Sequence, residues 1–481
     1  MSTLPRSLGV ADGVVIAASS TAATTSIAIG TGVLASIVGR QVPVLLILAF
    51  LPMLGIAGAY ARLNRSEPNC GAGYTWVGRT LGPWLGFLAG WIPVVGTTIF
   101  LAYTTAICGS LLIQSAGTAG LHGLDPNSTL QSTLVGLAVL AAVTWTAVRG
   151  VGEAAKFQKW LLIFEYAILI VFCGAGLIAG TQPFSLNWLN PFAVGSFSHL
   201  AQGLVLAVFF YWGWDAAFSV TEETRRPGDA ARGGYIALFT MLGLFVLGAI
   251  SFQRVLSTDD LAGHGAQGLT YFASRLVAEP WATLPLIALM FSAVASLQAG
   301  VIPNARLTLA MSRDRTLGPI WARLSRRGVP AAGTIAVAVI GAFIACLEAV
   351  IPTLNEAILA AVNTIGLLVA LYYGLTAIAA AVRFRGLLRT NPMQGVRAVL
   401  VPLVSGLALF GLGIYLAGYY ATLSTSFAIR ADNGLFSLAM PAVVIVLGVV
   451  TAGVAKWRRR SPYFESSAPG PAPVVLAEEP A

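Results

Sequence analysis

Runs of roughly twenty apolar residues, each long enough to cross a bilayer as a helix, recur along almost the whole chain. They are read near residues 14–38, 43–61, 83–115, 131–148, 158–180, 199–221, 234–253, 282–310, 331–350, 355–381, 398–421 and 434–455. The third and eighth are long enough to tilt or to extend beyond the bilayer. The expected fold class is an all-α polytopic membrane protein with twelve transmembrane helices. Only 10% of residues are charged, against about 25% in soluble globular domains. So little charge cannot cover a soluble protein of this length, so lipid must be part of the solvent. The 52 glycines fit closely packed helices in a bilayer.

A net charge of +9 would point to nucleic acid in a soluble chain. Here the basic residues sort by side instead. With the N-terminus inside, 24 of the 28 Lys and Arg fall on the inner side, and only Arg40, Arg254, Arg275 and Arg430 fall outside. That asymmetry obeys the positive-inside rule. It places both termini in the cytoplasm, makes the inner (plasma) membrane the expected location, and leaves no role for nucleic acid. The first run is longer than a signal peptide and is read as an uncleaved helix. Residues 461–481, rich in Pro and Ala, are expected to be a disordered tail.

Cys70, Cys108, Cys173 and Cys346 show no disulfide or zinc spacing, and His122, His199 and His264 are scattered near loops. No nucleophile elbow or phosphate loop is present. An enzyme, a metal centre and an organic cofactor are therefore not expected.

Two spans are interrupted. The first reads VVIAASSTAATTSIAIGTGVL, with Ser19, Ser20, Thr21, Ala23, Thr24 and Thr25 at its middle. The sixth reads LAVFFYWGWDAAFSVTEE, and its middle is Phe210, Tyr211, Trp212, Gly213, Trp214 and Asp215. These spans are five apart, and a five-span unit has an odd number of crossings, so a second copy must be inverted. Corresponding interruptions in two halves point to a transporter site at the repeat interface. An unwound turn frees N–H groups at one half-helix start and carbonyls at the other half-helix end. The first attracts a carboxylate and the second an ammonium group. A zwitterionic amino acid suits that pair of poles. The bland alternative is that the hydroxyls bond backbone carbonyls four residues earlier in intact helices.

Four features carry a family resemblance. One is Pro68-Asn69-Cys70-Gly71-Ala72-Gly73-Tyr74-Thr75-Trp76-Val77-Gly78-Arg79 with Leu81-Gly82, Gly86-Phe87 and Gly90-Trp91. The second is Phe209 to Asp215, continuing to Thr221-Glu222-Glu223 and Arg226-Pro227. The third is Pro303-Asn304-Ala305-Arg306 with Ala310-Met311-Ser312-Arg313-Asp314 and Leu317-Gly318-Pro319. The fourth is the spacing of the spans. Together they resemble the amino acid–polyamine–organocation permeases of bacteria. The resemblance implies a five-plus-five inverted repeat, with 13–180 and 196–382 as its halves. Residues 397–456 would be two added spans and 1–12 a cytoplasmic N-terminus.

The resemblance also implies substrate binding at the two interruptions. The family's Gly-Ser/Thr-Gly turn falls on Ala23-Thr24-Thr25 if Asp12 starts the first span, and its glycines are missing. A later register would use Gly30-Thr31-Gly32. The hydroxyls of Ser20, Thr21, Thr24 and Thr25 are therefore expected to share in holding a carboxylate. In the sixth span the family's Gly-Phe-Asp becomes Gly213-Trp214-Asp215. Tyr211, Trp212 and Trp214 would wall the pocket, suiting an apolar or aromatic side chain or a cation over a ring face, unless they merely pack between helices.

Two acids lie well inside spans, where a charge costs about 2.5–3.5 kcal/mol. Asp215 is expected to cap the second half-helix through its N–H groups or to meet a substrate amine. Glu165 lies roughly 13 Å past Lys156 at 1.5 Å per residue, where some proton-coupled relatives carry a lysine. Desolvation favours the neutral form of a carboxyl group, so Glu165 is the candidate for proton coupling, against a purely structural role. Ser292 and Ser296, one turn apart in the eighth span, are the competing candidates for sodium. Glu222, Glu223, Arg225, Arg226 and Arg306 are read as an inner gate or as solvated charge, with solvation favoured for the loop residues. The expected function is a secondary active permease for amino acids or related amines, working by alternating access with the proton as favoured coupling ion. A transporter-fold nutrient sensor and a polyamine or amine exchanger are the alternatives. Neither the substrate nor the oligomeric state is fixed by sequence.

Overall fold

The computed structural model describes residues 4–118, 120–121, 123–226, 228–264, 268–349, 354–423 and 434–465. His122, Arg430 and residues 466–481 lie outside the described residues, as does the side chain of His264. Among the described residues all regular structure is helical, apart from a single bridge between Leu8 and Thr224. Ten helical segments are long and apolar enough to cross a membrane. The chain is a multi-pass membrane protein.

The first segment, Val10–Ser66, is not one rod. Helix α1 (Val10–Thr21) ends where Ala22 turns left-handed, at φ 49° and ψ 52°. A π-helical turn, Ser26–Gly30, leads into α2 (Thr31–Val38). Gly39, at φ 63°, then stops α2 ahead of α3 (Val42–Ser66). A short helix, α4 (Gly73–Leu81), precedes the long α5 (Pro83–Thr118), α6 (Thr129–Arg149) and α7 (Val151–Ala179). Helix α8 (Phe197–Phe210) has 14 residues, too few to cross alone. It unwinds over residues 211–215 before one further turn, α9 (Ala216–Ser219). There follow α10 (Asp229–Val255), α11 (Leu284–Arg313), α12 (Ala331–Glu348), α13 (Leu354–Phe384), α14 (Val401–Thr422) and α15 (Gly434–Trp457).

Burial separates centre from periphery. The most apolar window of Trp281–Arg313 is 78% buried, whereas that of Gly434–Trp457 is 28% buried. Helix α11 thus forms the centre, packed against α1, α5 and α7, and α15 faces lipid. Glycine sets the closest approach. A Cβ at Gly109 would strike the Ser132 carbonyl, and one at Gly136 the Thr105 carbonyl, so the α5 and α6 backbones touch directly.

Two expectations are corrected at the arginine-rich end. The tail does not begin at 461. Tyr463 stacks on Tyr74 with ring centroids 4.6 Å apart, and Ser461 donates to the Asp314 carbonyl at 2.5 Å. Aromatic stacking and main-chain bonding order a segment whose composition reads as loose. Nor are the charges after α9 all solvated. Glu223 and Arg306 are each 1% exposed and form an ion pair at 2.8 Å, while Glu222 pairs with Arg313 at 2.7 Å. Desolvation pushes the Glu222 carboxyl up, but the Cys70 N–H and Arg313 outweigh it and hold the group below its ordinary value. Burial requires a partner, and α11 supplies one from more than 80 residues away along the chain.

Candidate functional site

The two interruptions meet. Gly213 sits at φ 114°, and a Cβ there would stand 2.7 Å from the Ser20 carbonyl oxygen. Only glycine takes that backbone conformation without strain and allows that approach. The first interruption lies at Ala22, one residue before the Ala23-Thr24-Thr25 turn expected from sequence, and those three residues are already helical. An alanine adopts the left-handed conformation here because the surroundings satisfy the freed groups. Thr21 Oγ1 donates to the carbonyls of Ala18 (2.8 Å) and Ala17 (3.1 Å), and Ser26 Oγ donates to that of Thr21 (3.2 Å). In the second interruption the N–H groups of Gly213 and Trp214 make no main-chain hydrogen bond among the described residues.

Two cavities flank this junction. The larger, with an empty volume of about 730 Å³, opens toward α2. Its lining includes the hydroxyl residues Ser20, Thr21, Thr25, Ser26, Thr104 and Ser296, and the larger side chains of Phe100, Tyr103, Leu206, Phe209, Phe210 and Trp212. The smaller, of about 480 Å³, extends toward the arginine-rich end and is lined by Gly213, Asp215, Ser219, Pro303, Asn304 and Tyr372 among others. Ser20, Phe100 and Trp212 line both. Phe100 and Trp212 meet edge to face, with centroids 5.7 Å apart and planes at 90°, and so form the partition between them.

Of the three aromatic residues read as walls, only Trp212 lines a cavity. Tyr211 and Trp214 are fully buried. Tyr211 donates to the Leu46 carbonyl at 3.0 Å, and Trp214 stacks on Tyr373 with centroids 5.7 Å apart. Ser19, Ala23 and Thr24 are likewise buried and line neither cavity.

Asp215 occupies the N-cap position of α9, but its side chain accepts no bond from the α9 N–H groups, so the expected capping bond is not made. It accepts instead from the hydroxyls of Tyr373 (2.8 Å) and Tyr372 (3.3 Å) on α13. Trp212 Nε1 donates to the Tyr372 hydroxyl at 2.8 Å, which ties the partition to the carboxylate. Sequence reading missed both tyrosines. Their only sequence signal is a Tyr-Tyr pair in an otherwise aliphatic span.

Glu165 on α7 is buried beside Thr24 of the first interruption and Ser292 of α11. The two hydroxyls lie next to the carboxylate without meeting ordinary hydrogen-bond geometry, and the Ser19 hydroxyl is also without a partner. Ser296 is committed: its hydroxyl donates to the carbonyls of Ser292 (2.7 Å) and Ser19 (3.0 Å), pinning the end of α1 to α11. Among the described residues no group of three or more metal-ligating side chains occurs.

Residues 17–426 match the amino acid permease family. The methylthioribose transporter of Bacillus subtilis is 26% identical over 321 residues, covering 62% of this chain and 66% of that protein. The branched-chain amino acid permease of Lactococcus lactis is 24% identical over 310 residues, covering 60% and 65%. The arginine/ornithine antiporter of the same organism is 22% identical over 302 residues, covering 58% and 56%. In each of these alignments the chain spans less than two thirds of the relative's length.

Proposed function

Because the chain belongs to the amino acid permease family, we propose that it is a secondary transporter of amino acids or related amines that works by alternating access. The observation that carries this reading is the contact between the two unwound segments at Ser20 and Gly213, with a hydroxyl-lined cavity on one side of it. The hydroxyls of Ser20, Thr21 and Thr25, which line the larger cavity, supply the pole for a carboxylate. The carbonyl end of α1 supplies the pole for an ammonium group. The Phe100–Trp212 partition and the buried Glu223–Arg306 pair are the barriers that alternate access must open.

The membrane arrangement belongs to the same proposal. Counting Val10–Ser66 as two crossings and the broken segment from α8 to α9 as another gives twelve, arranged as a five-plus-five inverted repeat with two added helices. The arginine-rich end, and with it both termini, faces the cytoplasm. Counterflow in proteoliposomes tests the transport reading. A nutrient sensor would bind an amino acid without exchanging it, and saturable binding with no counterflow would replace transporter by sensor.

Glu165 is the proposed site of proton coupling, since it touches the first interruption and α11 at once. Replacing Glu165→Gln should abolish the pH dependence of uptake, and an unchanged pH profile would remove the role. Sodium remains the competitor through Ser292, whose hydroxyl is free, and uptake with sodium replaced by choline separates the two.

A further inference from the structure

We propose that the substrate of this site carries a bulky, uncharged apolar or aromatic side chain, and that basic amino acids and diamines are excluded. This rests on the transport reading above and narrows its substrate class.

No residue lining the 730 Å³ cavity bears a charge. Most of its hydroxyls belong to the first interruption and Ser296, and Thr104 of α5 adds one more. The bulk of the remaining lining is Leu206, Phe209, Phe210, Phe100 and Trp212, together with Tyr103. A zwitterionic head group held by the hydroxyls of the first interruption therefore leaves its side chain among mostly hydrocarbon and ring surface. Burying an apolar side chain there is favourable, because it leaves water for a surface that is mostly hydrocarbon.

A cationic side chain in the same place has no counter-ion. Asp215 is on the far side of Trp212, lines only the smaller cavity, and has both carboxylate oxygens held by tyrosine hydroxyls. Glu348 lies near Tyr103 but does not line the cavity. The aromatic faces are not enough to compensate. What a cation gains over a ring is less than the cost of taking an ammonium or guanidinium group out of water. The indole Nε1 of Trp212, already bonded to Tyr372, leaves the ring's hydrocarbon surface for the substrate. Of the two uses open to aromatic walls, apolar contact wins.

The test is self-counterflow with the full chain in proteoliposomes. Vesicles are preloaded in turn with L-leucine, L-phenylalanine, L-tryptophan, L-serine, L-arginine, L-ornithine or putrescine, and uptake of the same labelled compound is followed. At least one of the three apolar amino acids should exchange ten times faster than arginine, ornithine or putrescine, and faster than serine. Arginine, ornithine, putrescine or serine exchanging as fast as the best apolar amino acid overturns the inference and leaves transport intact. Exchange of none of the seven removes the transport reading and this inference with it.

Discussion

The two interruptions do the same geometric job by different means. The first is satisfied mostly locally: Thr21 bonds back to Ala17 and Ala18, Ser26 bonds back to Thr21, the left-handed residue is an alanine, and one bond from Ser296 reaches it from α11. The second is held from a distance. Gly213 provides the backbone freedom, Tyr211 is anchored on α3, and Trp212 and Asp215 are anchored on the tyrosines of α13. The first break draws most of its bonds from its own segment and is tied to α11 by the single Ser296–Ser19 bond. A remotely anchored break reports on the position of every helix that holds it. The difference lies in where the bonds come from: the first interruption is bonded mostly within its own segment, and the second across to α3 and α13.

Four substitutions probe that contrast. Gly213→Ala should have the largest effect, because it adds backbone strain of about 1–3 kcal/mol and drives a methyl into the Ser20 carbonyl. Counterflow should fall at least tenfold, with a lower thermal midpoint in detergent. Gly243→Ala, where a Cβ meets open space, is the control. Tyr373→Phe removes one hydrogen bond to a buried carboxylate and should destabilise the fold by about 1.5–3 kcal/mol, read by chemical denaturation. Thr21→Val removes only a local bond and should cost under about 1 kcal/mol in the same measurement. A Thr21→Val loss as large as that of Tyr373→Phe would break the distinction between local and remote anchoring. Ala22→Gly should change least. Relief of the left-handed conformation, worth roughly 1–2 kcal/mol, is offset by the greater chain entropy of glycine, so the midpoint should barely shift. A marked loss would show that the Ala22 methyl, only 6% exposed, is needed for packing.

The difference also explains what was legible in the sequence. The membrane runs were readable because hydropathy over twenty residues is a bulk property, and their ends agree with the helices to within several residues. The second interruption was readable because Gly213 among bulky rings has few other uses. The exact position of the first was not, since an alanine in a left-handed turn leaves no mark in composition. Nor was it readable which of Tyr211, Trp212 and Trp214 faces a cavity. An unwound segment has no helical period from which to infer a face. The partners of Asp215 lie 157 and 158 residues away in sequence. The Glu223–Arg306 pair was hidden for the same reason, because burial of a charge is decided by tertiary neighbours and not by the loop that carries it.

The stacking of Tyr463 on Tyr74 bears on how the molecule is assembled. A Cβ at Gly78 or Gly86 would collide with the Tyr463 hydroxyl, so both positions leave a slot for that ring. The slot belongs to residues made early in synthesis, and the ring that fills it follows α15. The junction between α4 and α5 must therefore wait, incompletely packed, through the insertion of every later crossing, and it is sealed when residues 459–464 fold back onto it.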